Sequence, residues 1–397
     1  MDAAGAAFPD IRIHTIDIPA NRTLGCAKRF DYRIGPLRPS VPRVGSRMSS
    51  LRDVAERAQV AISTVSAALN GTRPVAAGTR RRIEQAAAEL GYRPNLLARG
   101  LQSKRTRILA LLYPAPRSGF GLTEMQFATG AAEAARELGH HLLLSPENAD
   151  PIEELRHLTG LGLIDGVLLM EVGLDDERAA FLAAAGVPFS MIGRTRDPGS
   201  IDYADIDFAA TARDAVAHVA ALGHRKLAFF NLSADAYADG YGPAIRAGEE
   251  FAAAARAAGI GYVDGHRPGS AEEGREAFER LMDAHPDVTA LAVMDDHAAV
   301  GVIAAAAARG RRIPDDLTLM LVLSSAGVAE MFHPRLTTLE PPGTELGRLG
   351  ARMLVDRLSG GGPPQQRLVP CRLVAGDSSA PPPVPGPAGG PREGRPA

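Results

Sequence analysis

The chain has 397 residues, 45% of them hydrophobic, and no apolar run reaches the roughly 18 residues of a membrane span. Cys26 and Cys371 are the two cysteines, which excludes a disulfide framework and a cysteine zinc site, and the absence of Trp argues against a base-stacking platform for single strands. The net charge of -2 conceals an asymmetry: residues 48–107 carry 11 Lys/Arg against 4 Asp/Glu, residues 1–47 carry 8 against 4, and the remainder is therefore at -13.

Residues 1–47 mix Pro, Gly and Arg without sustained periodicity, so 1–48 is expected to be a disordered extension, with Met48 as the start of the organised chain. No basic-then-apolar secretory signal opens the sequence, and a reducing cytoplasm fits the cysteine usage. Ser50 followed by Asp53 forms a capping box before "LRDVAERAQV", whose Val54, Ala55 and Ala58 make a small apolar face. A tight turn at 58–61 leads to a second short helix from Ile62 to Asn70, with Val65 and Leu69 inward and Gly71 closing it. A third helix from Gly78 to Leu90 packs Ile83, Ala87 and Leu90. Two short helices joined by a tight turn and braced by a third form a helix-turn-helix, here residues 49–93. Its positive charge suits a phosphate backbone.

"RPNLLARGLQSKRT" follows. Pro94 suits a helix entry, but a stretch this short is not helical alone and Gly100 weakens it further. Residues 94–106 are read as a hinge helix and linker. From 107 to 376 the texture changes to continuous apolar runs between helical stretches: "ILALLYP" at 108, "HHLLLS" at 140, "DGVLLME" at 165, "PFSMIG" at 188, "KLAFFN" at 226, "TALAVM" at 289 and "LTLMLVL" at 317. Such strands belong to parallel sheet covered on both faces, and about 270 residues of it implies two similar lobes. Residues 377–397, rich in Pro and Gly, are expected to be a disordered tail.

"LRDVAERAQVAISTVSAALNG" and "TRRRIEQAAAELGYRPNLLARGL" resemble the lactose-repressor (LacI/GalR) family of bacterial transcription regulators, and so do "IDGVLL" at 164, "ALGHRKLAFF" at 221, "RRIPDDLTL" at 311 and "HPRLTTLEPPGTELGRLGARML" at 333. The resemblance implies an all-α helix-turn-helix headpiece plus an α/β two-lobed domain of the periplasmic-binding-protein-like (type I) kind. It implies a homodimer or tetramer on a palindromic double-stranded operator, controlled by a small-molecule effector such as a carbohydrate, with no cofactor, metal or membrane involved.

Carried over residue by residue, the resemblance puts Ile62, Ser63 and Ala67 at base edges. Where the family favours a long Arg, Ala67 offers only a methyl. Thr64, Ser66, Asn70, Thr79 and Arg80 take phosphate-positioning roles, and Asn95, Ala98 and Leu101 belong to the hinge, with Leu101 as the wedge that unstacks a base step. Ala61 and Ala76 replace the usual Ser caps of the second and third helices. The effector residues implied are Phe120, Arg194, Tyr241, Arg246, Asp295 and Ser324, in loops beyond the strand ends. After the 317 strand, "LVLSS" replaces the family's customary sugar-binding carboxylate.

Three rivals stand beside this reading. An enzyme lacks support, since no G-x-G-x-x-G turn, nucleophile elbow or metal-ligand spacing occurs. A non-regulatory small-molecule-binding protein would not need the basic headpiece. A regulator answering a partner protein instead of a metabolite fits the same sequence.

Overall fold

The computed structural model describes residues 49–70, 73–92, 105–113, 121–146 and 150–383. The chain divides into two compact units after Arg93. The extension to residue 48, the hinge residues 94–104 and the tail from 384 lie outside the described residues.

The first unit is three helices: α1 (Leu51–Ala58), α2 (Ile62–Asn70) and α3 (Ala77–Glu89). The capping box forms as expected: Asp53 N donates to Ser50 Oγ at 3.3 Å, and Ser50 N donates to Asp53 Oδ2 at 2.6 Å. Gln59, in the left-handed region at φ 53°, ends α1 and turns the chain. Val54, Ala55, Ala58, Val65, Ala68, Ile83 and Ala86 make a buried core, with Leu69, Ala87 and Leu90 packed around it. An ion pair from Arg57 to Glu89 at 2.5 Å ties α1 to α3 on the exposed side.

The second unit contains two six-stranded sheets. The first is built from β1 (Ile108–Tyr113), β2 (His141–Pro146), β3 (Gly166–Met170), β4 (Phe189–Ile192), β5 (Asp202–Ile206) and β11 (Gln366–Val369), in the order β11-β5-β4-β3-β1-β2. The second contains β6 (Lys226–Phe230), β7 (Gly261–His266), β8 (Ala290–Val293), β9 (Thr318–Val322), β10 (Thr337–Glu340) and β12 (Arg372–Val374), in the order β12-β10-β9-β8-β6-β7. All pairings are parallel except β10 with β12, and the inner strands β3 and β9 are buried along their whole length, as a doubly covered sheet requires. The helices are α4 (Leu122–Glu137), α5 (Pro151–Gly160), α6 (Glu177–Ala185), α7 (Phe208–Ala221), α8 (Ala234–Ala238), α9 (Gly242–Ala257), α10 (Ala271–Ala284), α11 (Asp296–Ala308), α12 (Ala326–Ala329) and α13 (Gly343–Leu358).

The chain passes between the sheets three times, at 206–208, 340–343 and 369–372, so each lobe is discontinuous in sequence. Helix α13 follows a strand of the second sheet but packs on α4 and the first sheet. Gly130 and Gly347 allow that crossing, because a Cβ on either would collide with the partner helix's backbone.

Five strands escape the apolar-run criterion. In β5 ("DYADI") the two aspartates are buried and held by arginines: Arg357 grips Asp202 with two bonds of 2.9 Å, and Arg194 meets Asp205 at 2.8 Å. Edge strand β7 is polar, and β10, β11 and β12 have four residues or fewer. The tail expectation is corrected over 377–383. Ser378 is fully buried, accepting from Thr337 N at 2.9 Å, while its carbonyl accepts from Leu319 N at 3.0 Å. Ala380 O accepts from Thr318 Oγ1 at 2.9 Å. These bonds hold a Pro-rich segment that composition alone assigns to disorder.

Candidate nucleic-acid interface and effector cavity

Helix α2 begins without a side-chain cap. The Ala61 carbonyl accepts from Thr64 N at 2.8 Å and Val65 N at 3.1 Å, but a methyl at position 61 has no oxygen for the first-turn N–H groups. Helix α3 likewise has no capping bond from Ala76. Uncapped donors at an exposed helix start suit a phosphate oxygen. Ala61, Ile62 and Ser63 are exposed, Ile62 at 42%, and Thr64 and Ser66 are half-buried. Thr79 and Arg80 are half-buried at the start of α3, and Arg81 and Arg82 beside them are exposed.

Ala67 departs from its expected place at a base edge: it is 3% exposed. A lone methyl is covered by packing where a long Arg would reach past it. The Asn70 side chain, and Asn95, Ala98 and Leu101, lie outside the described residues.

In the second unit a cavity of about 140 Å3 opens where the carboxyl ends of both sheets meet. The first lobe contributes Thr123, Glu124 and Phe127 from the start of α4, Glu171 and Val172 after β3, Gly193 after β4 and Asp205 from β5. Leu232, Tyr241, Pro243, Met294 and Leu323 come from the second lobe. Two non-glycine residues at this rim, Glu171 and Leu323, hold left-handed backbone at φ 56° and 60°. Such strain collects at ligand sites. Gly193 at φ 111° lies against the Val172 side chain, where an added Cβ would sit 3.1 Å away.

Buried charge fixes this rim. Arg178 donates to both carboxylate oxygens of Asp176 at 2.9 and 2.7 Å, and to the carbonyls of Met170 and Glu171 at 3.2 and 3.0 Å. Burial pushes the Asp176 carboxyl up, but Arg178 and two backbone N–H groups outweigh it and leave the group below its ordinary range. Asp205 is deeper; burial wins there and holds it above the ordinary range against Arg194 and Arg246.

The lobes touch across the cleft. Tyr241 bridges to Gly173 through the backbone, Gly242 N donates to Val172 O at 3.2 Å, and Ser325 N donates to Thr123 Oγ1 at 3.0 Å. Arg246, on α9, donates to the carbonyls of Arg194 and Thr195 at 2.9 and 3.1 Å.

Of the expected effector residues, Tyr241 lines the cavity and hydrogen-bonds Glu171, and burial with that carboxylate raises its hydroxyl pKa well above the usual range. Arg194 and Arg246 are brought together on Asp205, behind the lining. Asp295 caps α11, accepting from Ala298 N at 2.8 Å. Ser324 is 1% exposed, and its hydroxyl approaches the Asp296 carboxylate without reaching good hydrogen-bond geometry. Phe120 is outside the described residues. Glu124, Glu171, Asp205 and Asp296 were missed. Their signal is position: each sits within two residues of a strand or helix end at the carboxyl edge, where an open α/β lobe binds. Burial, with Asp295 and Glu124 nearby, raises Asp296 to about 6. Among the described residues no cluster of three His, Cys, Asp or Glu side chains could hold a metal, and no helix is long and apolar enough to cross a membrane.

The model of bacterial regulatory proteins of the lacI family matches residues 50–95, and a periplasmic binding protein-like domain matches 216–379. The HTH-type transcriptional regulator CelR of Thermobifida fusca is 31% identical over 339 residues, covering 83% of this chain and 96% of the relative. A solved CelR–cellobiose complex superposes with a TM-score of 0.61 at 28% identity, covering 83% of this chain and 99% of that one. The lac repressor dimer bound to operator and the anti-inducer ONPF gives 0.72 at 22% identity, over 84% and 100%, a likeness of fold.

Proposed function

The chain belongs to the LacI family of bacterial regulatory proteins, and from that premise we propose that it is a repressor that grips a palindromic operator as a homodimer and adjusts its grip to a small molecule in the interlobe cavity. The observation that carries this reading is one chain holding both a three-helix headpiece with exposed Ile62 and Ser63 on α2, and a closed cleft joined by three crossings. In this reading α2 enters the major groove, Ile62 meets a thymine methyl and Ser63 a polar base edge. Thr64, Ser66, Thr79, Arg80 and the exposed Arg81 and Arg82 hold phosphates. Leu101 wedges the minor groove at the hinge. The protein works in the cytoplasm, where its DNA is, and carries out no reaction.

A relative is known as a cellobiose complex, yet the segment after β9 here reads "LVLSS", with Ser324 and Ser325 where the family has carboxylates. The effector is accordingly a small molecule of different chemistry. Selection from random duplex DNA with the full chain tests the reading. A two-fold symmetric sequence should be enriched, with log affinity falling against log salt by about 0.9 per phosphate neutralised. Failure to enrich any symmetric site, with salt-insensitive binding, overturns it.

A further inference from the structure

Resting on the effector role of the interlobe cavity, we propose that its ligand is a compact organic cation: an apolar body carrying one ammonium or amidinium group, seated against Glu124. Three observations carry this. The first is size. A void of about 140 Å3 is close to the roughly 150 Å3 engineered cavity that takes up benzene. Its enclosed part holds a six-membered ring with a short substituent.

The second is the wall. Phe127, Met170, Ile192, Leu232, Met294 and Leu323 give it a mainly apolar lining. A polyol would leave its hydroxyls against these carbons and forfeit their hydrogen bonds with water. An apolar body suits them, with polarity gathered at one end.

The third is charge. Among the described residues the lining contains Glu124, Glu171 and Asp205 and no Lys, Arg or His. Arg194 and Arg246 are committed to Asp205. Glu124 lies near enough to Asp296 of the other lobe to disfavour its charge, with His297 acting the other way. Beside that pair, Asp296 Oδ1 and the 1%-exposed Ser324 Oγ are buried; Ser324 leans on the Asp296 carboxylate and lowers its pKa, but neither atom has a partner at good hydrogen-bond geometry. A buried, unsatisfied acceptor and hydroxyl next to a carboxylate is an arrangement that a donor-rich cation completes. Because Glu124 starts a first-lobe helix and Asp296 a second-lobe helix, the same cation neutralises like charges on the two sides of the cleft and favours its closed form.

The test is calorimetric titration of the full chain at pH 7.5 with four probes of known chemistry: benzylamine, benzyl alcohol, benzoate and glucose. Benzylamine should bind at least about tenfold tighter than the neutral benzyl alcohol of the same shape, and benzoate and glucose should give no heat. Glu124→Gln should reduce the preference for amine over alcohol about tenfold or more. Should that variant fail to fold, the amine–alcohol ratio of the unaltered protein decides alone. Equal binding of alcohol and amine, tighter binding of benzoate or glucose, or no binding of any probe overturns the proposal. The regulatory reading fails separately: amine binding without operator enrichment would defeat it alone, whereas an operator response to glucose without amine binding would defeat only the cation.

Discussion

Asp296→Asn should make the protein more stable at neutral pH, although it replaces a residue of the candidate site. The carboxyl is buried at the first position of α11, with one oxygen lacking any partner, and its pKa stands at about 6 against an ordinary 3.8. Holding the carboxyl at about 6 instead of 3.8 means about 3 kcal/mol of preference for the protonated form on folding. The folded pKa lies above the unfolded one, so the folded state holds more protons between the two values. Stability therefore falls as pH rises from about 4 through 6, and the full penalty applies above about 7. Asparagine keeps the shape, carries no charge, and offers Ser324 both a donor and an acceptor. Against this, the helix start favours a negative charge by roughly 0.3–1 kcal/mol, which the variant loses. The net gain is about 2 kcal/mol, or roughly 3 °C in melting temperature for a unit of this size. Melting curves of the full chain and the variant, followed by circular dichroism from pH 4 to 8, give the result. The gap should be widest at pH 7–8 and close near pH 4. A variant equal to or less stable than the parent at pH 7.5 would mean that Asp296 is well satisfied as a carboxylate, and the reasoning would fail.

Arg178→Met removes the counter-charge of Asp176 and leaves a buried carboxylate and two carbonyls; it should cost about 3–5 kcal/mol in urea unfolding of the second unit. Adding Asp176→Asn, which keeps an acceptor for the α6 cap, should recover part of that loss; no recovery would show that packing and not charge held the loop. Parent-protein stability from this pair should persist above about pH 4 and be lost as pH falls through the depressed Asp176 pKa. Ala61→Ser should stabilise the headpiece by about 1 kcal/mol by capping α2, read as slower amide exchange in residues 62–66. Gly347→Val drives a side chain into the Phe127 carbonyl across the α4–α13 crossing and should cost at least about 1–3 kcal/mol, measured by thermal melting.

The headpiece was legible because its signals are local. A capping box needs four adjacent residues, and the inward positions Val54, Ala55, Ala58, Val65 and Ile83 recur at helical spacing. The seven apolar strands were legible for a similar reason: a strand covered on both faces is apolar throughout. Strand β5 was not, because its burial rests on ion pairs with Arg357 and Arg194, which lie 155 and 11 residues from their partners. The segment 377–383 was hidden in the same way, since Ser378 is held by residues 319 and 337.

The cavity shows where local reading stops. Its carboxylates at positions 124, 171 and 205 meet at the carboxyl edge of the first sheet through its parallel strand order, and the crossings of the chain bring Asp296 of the second lobe near them. The loop rule found Tyr241, and it found Arg194 and Arg246 in the right neighbourhood with a different task. An Arg near a strand end looks the same in sequence whether it meets a ligand or a buried Asp205. The deciding fact is which charge is already answered. Arg194 and Arg246 spend their charge on Asp205, whereas Glu124 of one lobe lies near enough to Asp296 of the other to disfavour its charge. A site whose cations, among the described residues, are used up internally and whose carboxylates disfavour one another's charge favours a positive ligand, and it leaves the cleft less stable empty than filled. That difference is the free energy by which a ligand can bias one arrangement of the lobes over another.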